Sequence, residues 1–255
     1  MNQRIPRQFL AAVLLLVGLT SLANPGASRA QASEPPPNAR LYLTWRAPYG
    51  QPRATENIMA SCGDSTKIDT LWMTFDPGKS VPGFLGMTGF LDIHPFPGDT
   101  LDAYWNFGEG LKVRRLRVQL DPDSVPGMRH AWASKGAGGY GYYHSPTLGS
   151  VRMVQAVPMQ TAGPIEPGLY AMARVLIPRP ASSGPCGRPV CIEWRSSSIA
   201  FSETDDALVT RGQRFVSWNA TSGHDPCGTL RQVQAPPHTW KPPVAARDSA
   251  GSAKH

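Results

Sequence analysis

Thr70-Leu71-Trp72-Met73-Thr74-Phe75 alternates. Leu71, Met73 and Phe75 fall on one side of an extended chain and Thr70, Trp72 and Thr74 on the other, because successive side chains of a strand point to opposite faces. Working outward, the same period of two sets Leu41, Leu43 and Trp45 against Tyr42 and Thr44, and gives Leu85, Met87, Leu91 and Ile93 one parity around Gly89. Further strands are expected over 111–120, 151–157, 169–177, 190–201 and 213–218. Turns such as Pro95-Phe96-Pro97-Gly98, Pro126-Gly127 and Pro167-Gly168 separate them. No segment sustains a helical pattern over three turns, and one turn is expected around 102–107. The helices that parallel crossovers need are therefore missing, which excludes a parallel α/β fold. No internal repeat appears, which excludes a propeller or solenoid. The expected fold is all-β, an immunoglobulin-like or jelly-roll sandwich of about eight or nine strands.

Residues 135–149 read Lys-Gly-Ala-Gly-Gly-Tyr-Gly-Tyr-Tyr-His-Ser-Pro-Thr-Leu-Gly. So much glycine is too flexible for a core strand, and so many rings are too many for a linker. A long surface loop or irregular edge is expected there.

Before the strands, Arg4 and Arg7 precede an apolar run from Phe9 to Leu22 that is too short to span a bilayer. Small residues follow at Ser28-Arg29-Ala30 and Ala30-Gln31-Ala32. This is the pattern of a secretory signal peptide, 1–32, cleaved near residues 30–32. The mature protein is then secreted or periplasmic, with no membrane span. A lipoprotein would need a Cys directly after the apolar run, and the first is Cys62. Residues 33–39 read as a linker, 40–234 as a single sandwich domain and 235–255 as a disordered tail rich in proline and small residues. The formal net charge of +7 includes Arg4, Arg7 and Arg29, which leave with the leader. The balance that remains is too modest to point to nucleic acid.

Four cysteines behind a leader favour disulfides over zinc, which would need a second close pair. Cys186 and Cys191 flank a Gly/Pro turn that could bring them within bridging distance. That pairing leaves Cys62 with Cys227, a bridge that closes a long loop and contributes roughly 4 to 5 kcal/mol in the chain-entropy account.

Two stretches carry a family resemblance. Gly83-Phe84-Leu85-Gly86-Met87-Thr88-Gly89-Phe90-Leu91-Asp92-Ile93 and Gly168-Leu169-Tyr170-Ala171-Met172-Ala173-Arg174-Val175-Leu176-Ile177 resemble strands of the cohesin and carbohydrate-binding-module group of nine-stranded sandwiches, over about residues 68–218. The resemblance implies a cohesin-like fold and non-enzymatic binding of a protein module or polysaccharide outside the cell. The two expected disulfides and the aromatic glycine stretch depart from that group, and no binding residue carries over.

Chemistry-bearing residues are sparse. Gly63-Asp64-Ser65 looks like the nucleophile motif of secreted hydrolases, but no His precedes His94 and Thr221 stands three residues before His224 where an Asp would be required. The hydrolase reading therefore survives only with a site the sequence does not display. The histidines lack metal-ligand spacing, and neither Asp121 and Asp123 nor Glu203, Asp205 and Asp206 form a calcium loop. No cofactor or metal is expected. Lys112, Arg114, Arg115 and Arg117 read as the wet side or charged edge of a strand. Trp132, Tyr140, Tyr142 and Tyr143 are the candidate ligand-binding group, since flat rings on a surface segment stack on sugars or meet a partner's apolar patch. The sequence thus reads as an exported, monomeric, non-enzymatic binding or structural module of the cell envelope, with a polysaccharide or an envelope protein as partner.

Overall fold

The computed structural model describes residues 38–60, 63, 66–107, 116–120, 125, 127–129, 136–179, 188–202, 206–221 and 225–233. Thirteen strands occur among them: β1 (Arg40–Trp45), β2 (Asn57–Ile58), β3 (Ile68–Asp76), β4 (Val81–Pro95), β5 (Arg117–Leu120), β6 (Ala137–Ser145), β7 (Leu148–Ala156), β8 (Gly163–Ile165), β9 (Tyr170–Pro178), β10 (Val190–Phe201), β11 (Ala207–Val209), β12 (Gly212–Gln213) and β13 (Phe215–Trp218). Nine of these exceed three residues, which matches the expected strand count. One short helix, α1 (Gly228–Val233), follows β13; the sequence pattern did not announce it.

Two sheets form. The first runs β12-β1-β3-β9-β5, and the second runs β2-β13-β10-β4-β7-β6, with β11 added to β10 and β8 to β4. The parity read from the sequence decides which side chains meet between them. Leu41, Leu43, Trp45, Leu71, Met73 and Phe75 of the first sheet share one buried core with Met87, Leu91, Ile93, Val151, Met153, Ile192, Trp194, Val216 and Trp218 of the second. One end is closed by a 3-10 turn at Ala103–Trp105, in the place where a single helical turn was expected. Its Trp105 lies edge-on to Trp218 at 5.2 Å and Phe107 at 6.0 Å. Such edge-to-face rings add to the area they bury.

The glycine-rich stretch is not a loop. Residues 137–145 form β6, a regular antiparallel strand paired with β7 from Ala137↔Ala156 to Ser145↔Leu148, at the outer end of the second sheet. Glycine suits it because β5 of the other sheet passes close. A Cβ on Gly138 would stand 2.5 Å from Leu120 Cδ1, nearer than packed atoms come. The Tyr140 hydroxyl donates to Leu116 O at 3.2 Å across the same gap, so β5 and β6 bring the two sheets together at this edge.

The two outer faces differ. On the first sheet, outward-pointing Tyr42, Thr44, Trp72 and Thr74 are nonetheless buried, because the segment after β1 folds back over them. Tyr49 stacks on Tyr42 at 4.0 Å, and Trp72 Nε1 donates to Arg46 O at 3.3 Å. On the second sheet, among the described residues, only one end is covered. There α1 is tied down by a disulfide between Cys191 of β10 and Cys227, with Phe215 and Leu230 packed around it. This bridge corrects the expected pairing of Cys186 with Cys191 and of Cys62 with Cys227. Cys191 sits inside β10 opposite His94 and Ser217, on the outward side, so its sulfur meets a group above the sheet instead of a neighbour along the chain. Cys62 and Cys186 lie outside the described residues.

Asp69 and Arg179 form a buried two-pronged ion pair, with Nε to Oδ2 at 2.7 Å and Nη2 to Oδ1 at 2.7 Å. It clamps the start of β3 to the end of β9. Asp69→Asn keeps the shape but removes the charge that Arg179 faces. The expected cost is about 1.5 to 3 kcal/mol, read as a lower urea midpoint with unchanged slope.

Candidate functional site

Strand β4 runs between β10 and β7 in the second sheet, and its outward residues there are Phe90, Asp92 and His94. Cross-strand pairing sets Arg152 of β7 beside Phe90, Ser150 beside Asp92, and Glu193 of β10 on the other side of Asp92. On β10 the register shifts between Trp194 and Ser196, so that Trp194 faces Leu91, Ser196 faces Phe90 and Arg195 is the extra residue. A β-bulge of this kind re-aims a side chain. Here the Arg195 guanidinium reaches Asp92 Oδ2 at 3.2 Å and lies 5.1 Å from the centre of the Phe90 ring.

Arg214 buttresses the bulge from below. Its Nη1 donates to Arg195 O at 2.6 Å, Trp194 O at 3.0 Å and Glu193 Oε1 at 3.2 Å. Burial holds the Arg214 pKa below the ordinary arginine value, and Glu193 opposes that shift. Glu193 Oε2 in turn stands 3.4 Å from His94 Nε2. Asp92 is 2% exposed and is held by Arg195 on one oxygen and by the Ser150 hydroxyl, 2.7 Å away, on the other. Both acids of this face are thus compensated within the fold.

Above this layer Phe90, Gly141, Tyr142, Tyr143, Leu148, Ser150, Arg152 and Arg195 line an open groove of about 390 Å³. Arg152 lies 5.3 Å from the Phe90 ring centre, so a guanidinium from each neighbouring strand rests against one phenyl ring. Such contacts stabilise by about 0.5 to 1 kcal/mol when exposed. Among the described residues, no carboxylate pairs with Arg152.

The three expected ligand-binding aromatics that lie among the described residues point different ways. Tyr142 points inward, where its hydroxyl donates to Trp105 O and its ring meets Phe107 at 5.4 Å; burial pushes its pKa up. Tyr140 is 45% exposed, with its hydroxyl on Leu116 O. Tyr143, on the outward parity opposite Ser150, is 63% exposed at the rim of the groove. Trp132 lies outside the described residues. So do residues 111–115, Asp64, Ser65, Asp121, Asp123, Glu203, Asp205 and His224, while Asp206 accepts from Ser198 Oγ at 3.3 Å. Asn219, the first residue of an Asn-Ala-Thr triplet, is buried in a left-handed turn (φ 56°) with Oδ1 accepting from Ala60 N–H. A buried, bonded amide of this kind serves the turn. Phe90, Asp92, Arg152, Glu193 and Arg195 escaped the reading of motifs. The usable signal was parity, since Phe90 interrupts the polar side, with Thr88, Asp92 and His94, of a strand whose other side is core.

No protein-family model matches the chain, and no curated protein matches it. Solved structures do. A type I cohesin–dockerin complex from Clostridium thermocellum is similar at 12% identity and a TM-score of 0.36, over 75% of this chain and 97% of that one. The third cohesin of ScaC with the ScaB dockerin from Acetivibrio cellulolyticus is similar at 15% identity and a TM-score of 0.28, over 61% and 96%. The all-β sandwich expected from the sequence is met by the two sheets themselves; the likeness to these structures carries no argument. At these scores it says nothing of what this chain binds, and the site is read from its own geometry.

Proposed function

We propose that this protein is an exported, non-enzymatic module that binds a protein partner on the outer face of its second sheet. The observation that carries the reading is the asymmetry of the two faces. The first sheet's outer side is covered by the chain's own Tyr49 segment, whereas the second leaves Tyr143 and Arg195 exposed over a groove floored by Phe90. Exposed tyrosine and arginine around a half-buried ring are the composition of contact surfaces. A binder is favoured over a hydrolase because, among the described residues of this face, Asp92 is held by Ser150 and Arg195, and Glu193 by Arg214. A protein is favoured over a neutral polysaccharide because the guanidiniums of Arg152 and Arg195 already rest against Phe90. Among the described residues that line the groove, Tyr143 alone remains as a platform for a sugar. The Cys191–Cys227 bridge supports an oxidising compartment, and sequencing of the mature N-terminus should start near Gln31 or Ser33.

A photo-crosslinking residue in place of Tyr143, expressed in the native host, should give one discrete protein adduct. The same residue in place of Ile68, exposed at the start of β3 on the first sheet, should give none. Tyr143→Ala should change stability by less than about 0.5 kcal/mol. No adduct at position 143, or an adduct that glycosidases remove, would sink the proposal.

A further inference from the structure

Resting on the reading of this face as a protein-binding surface, we infer that the partner segment is acidic, with a carboxylate side chain seated against Arg152 and Arg195 and an apolar neighbour against Tyr143. Charge is the first ground. Arg195 is compensated by Asp92 at 3.2 Å, but among the described residues Arg152 has no ion-pair partner and only the Phe90 ring, 5.3 Å away. The groove is therefore left with one uncompensated cation, and both acids beneath it, Asp92 and Glu193, are buried and engaged. They fix the cations without repelling an incoming anion at close range.

Pre-organisation is the second ground. A guanidinium is a planar fork that matches a carboxylate through two parallel hydrogen bonds. Arg195 is aimed by a bulge that Arg214 supports at 2.6 and 3.0 Å, and both forks rest on one ring. Little side-chain freedom remains to be lost on binding, which is what turns an exposed arginine into an affinity determinant. Shape is the third. The groove is open and shallow on a sheet face, lined by Leu148 and Tyr143 beside the two arginines. It accepts an acidic side chain flanked by an apolar one, but offers no enclosed pocket for a small anion.

The test is selection from a random peptide library displayed on phage, with the full mature protein as bait, followed by titration of the best peptide as a synthetic copy. Selected sequences should be enriched in Asp and Glu. The synthetic peptide should bind Arg152→Ala at least about tenfold more weakly, which corresponds to loss of one charge-assisted contact. Arg152→Lys should recover little, because an ammonium cannot make the paired contact, and affinity should fall as salt rises from roughly 0.05 to 0.5 M. Circular dichroism melts of both variants should match the parent, since Arg152 is exposed. Peptides without acidic bias that lose binding on Tyr143→Ala but not on Arg152→Ala would overturn the inference and leave the protein-binding face standing. No enrichment at all, or displacement of the best peptide by polygalacturonate at lower concentration than by free peptide, would overturn both.

Discussion

Truncation of Trp105 to alanine is expected to lower stability by about 3 to 5 kcal/mol, the range for deleting a fully buried large aromatic. Trp105 is 1% exposed and meets three other rings, Tyr104 at 4.9 Å, Trp218 at 5.2 Å and Phe107 at 6.0 Å. Its backbone matters as well, because Trp105 O accepts the Tyr142 hydroxyl. The 3-10 turn that carries it is only three residues long, with no side-chain bond capping its N-terminus. Packing of the indole, not local hydrogen bonding, therefore holds the turn in the end of the sandwich. Loss of the indole leaves a cavity beside Trp218 of β13 and Tyr142 of β6, whose positions are fixed by their strands. Thermal denaturation should show a drop of roughly 10 °C for a domain of this size. Trp105→Phe, which retains a ring, should lose much less, and a drop of similar size in both variants would assign the effect to the turn instead of the packing.

Removal of the Cys191–Cys227 bridge is the second large expectation. The two residues are 36 apart in sequence, and closing a loop of that length contributes about 3 to 4 kcal/mol in the chain-entropy account. Cys191→Ala with Cys227→Ala should lower the urea midpoint accordingly. Because α1 is only six residues long, it is too short to persist alone. Hydrogen exchange should show residues 228–233 losing protection in the double variant while β10 keeps its own. Reductant should reproduce that loss of protection in the parent protein and add nothing to it in the variant.

The parity of residues 70–75 and 87–93 was enough to place the inner faces of β3 and β4, because one buried face imposes a strict period of two. It failed at Leu85, which is half-buried while Phe84 enters the core, because the register of β4 against β10 shifts between Phe84 and Gly86. Residues 135–149 do lie at an edge, as one of the two readings had it, but form a regular strand there, for a physical reason. Glycine is penalised in strands for entropy and missing side-chain contacts, yet β6 needs neither, being held by its hydrogen bonds to β7 and by the close approach of Leu120 to Gly138. Cysteine spacing misled in a similar way. It measures distance along the chain, whereas Cys191 is aimed by its position within β10 toward a helix that the sequence pattern concealed. The groove was half legible. Phe90 and Arg152 could each be assigned to an outward face, but their meeting depends on β7 pairing with β4, and Arg195 reaches them only through a bulge. Strand order and register are long-range properties, and no local pattern encodes them.

The disulfide also decides how the molecule carries load. Tension applied to the chain beyond Val233 would, without the bridge, run back through α1 and peel β13 from β10 one hydrogen bond at a time. With Cys227 bonded to Cys191, it enters β10 directly, and β10 is paired with β4 from Val190↔Pro95 to Phe201↔Phe84. Residues 192–226, closed inside the disulfide loop, then lie off the covalent load path. A partner held beside Arg195 would then sit on a segment that tension from this end does not pull on directly.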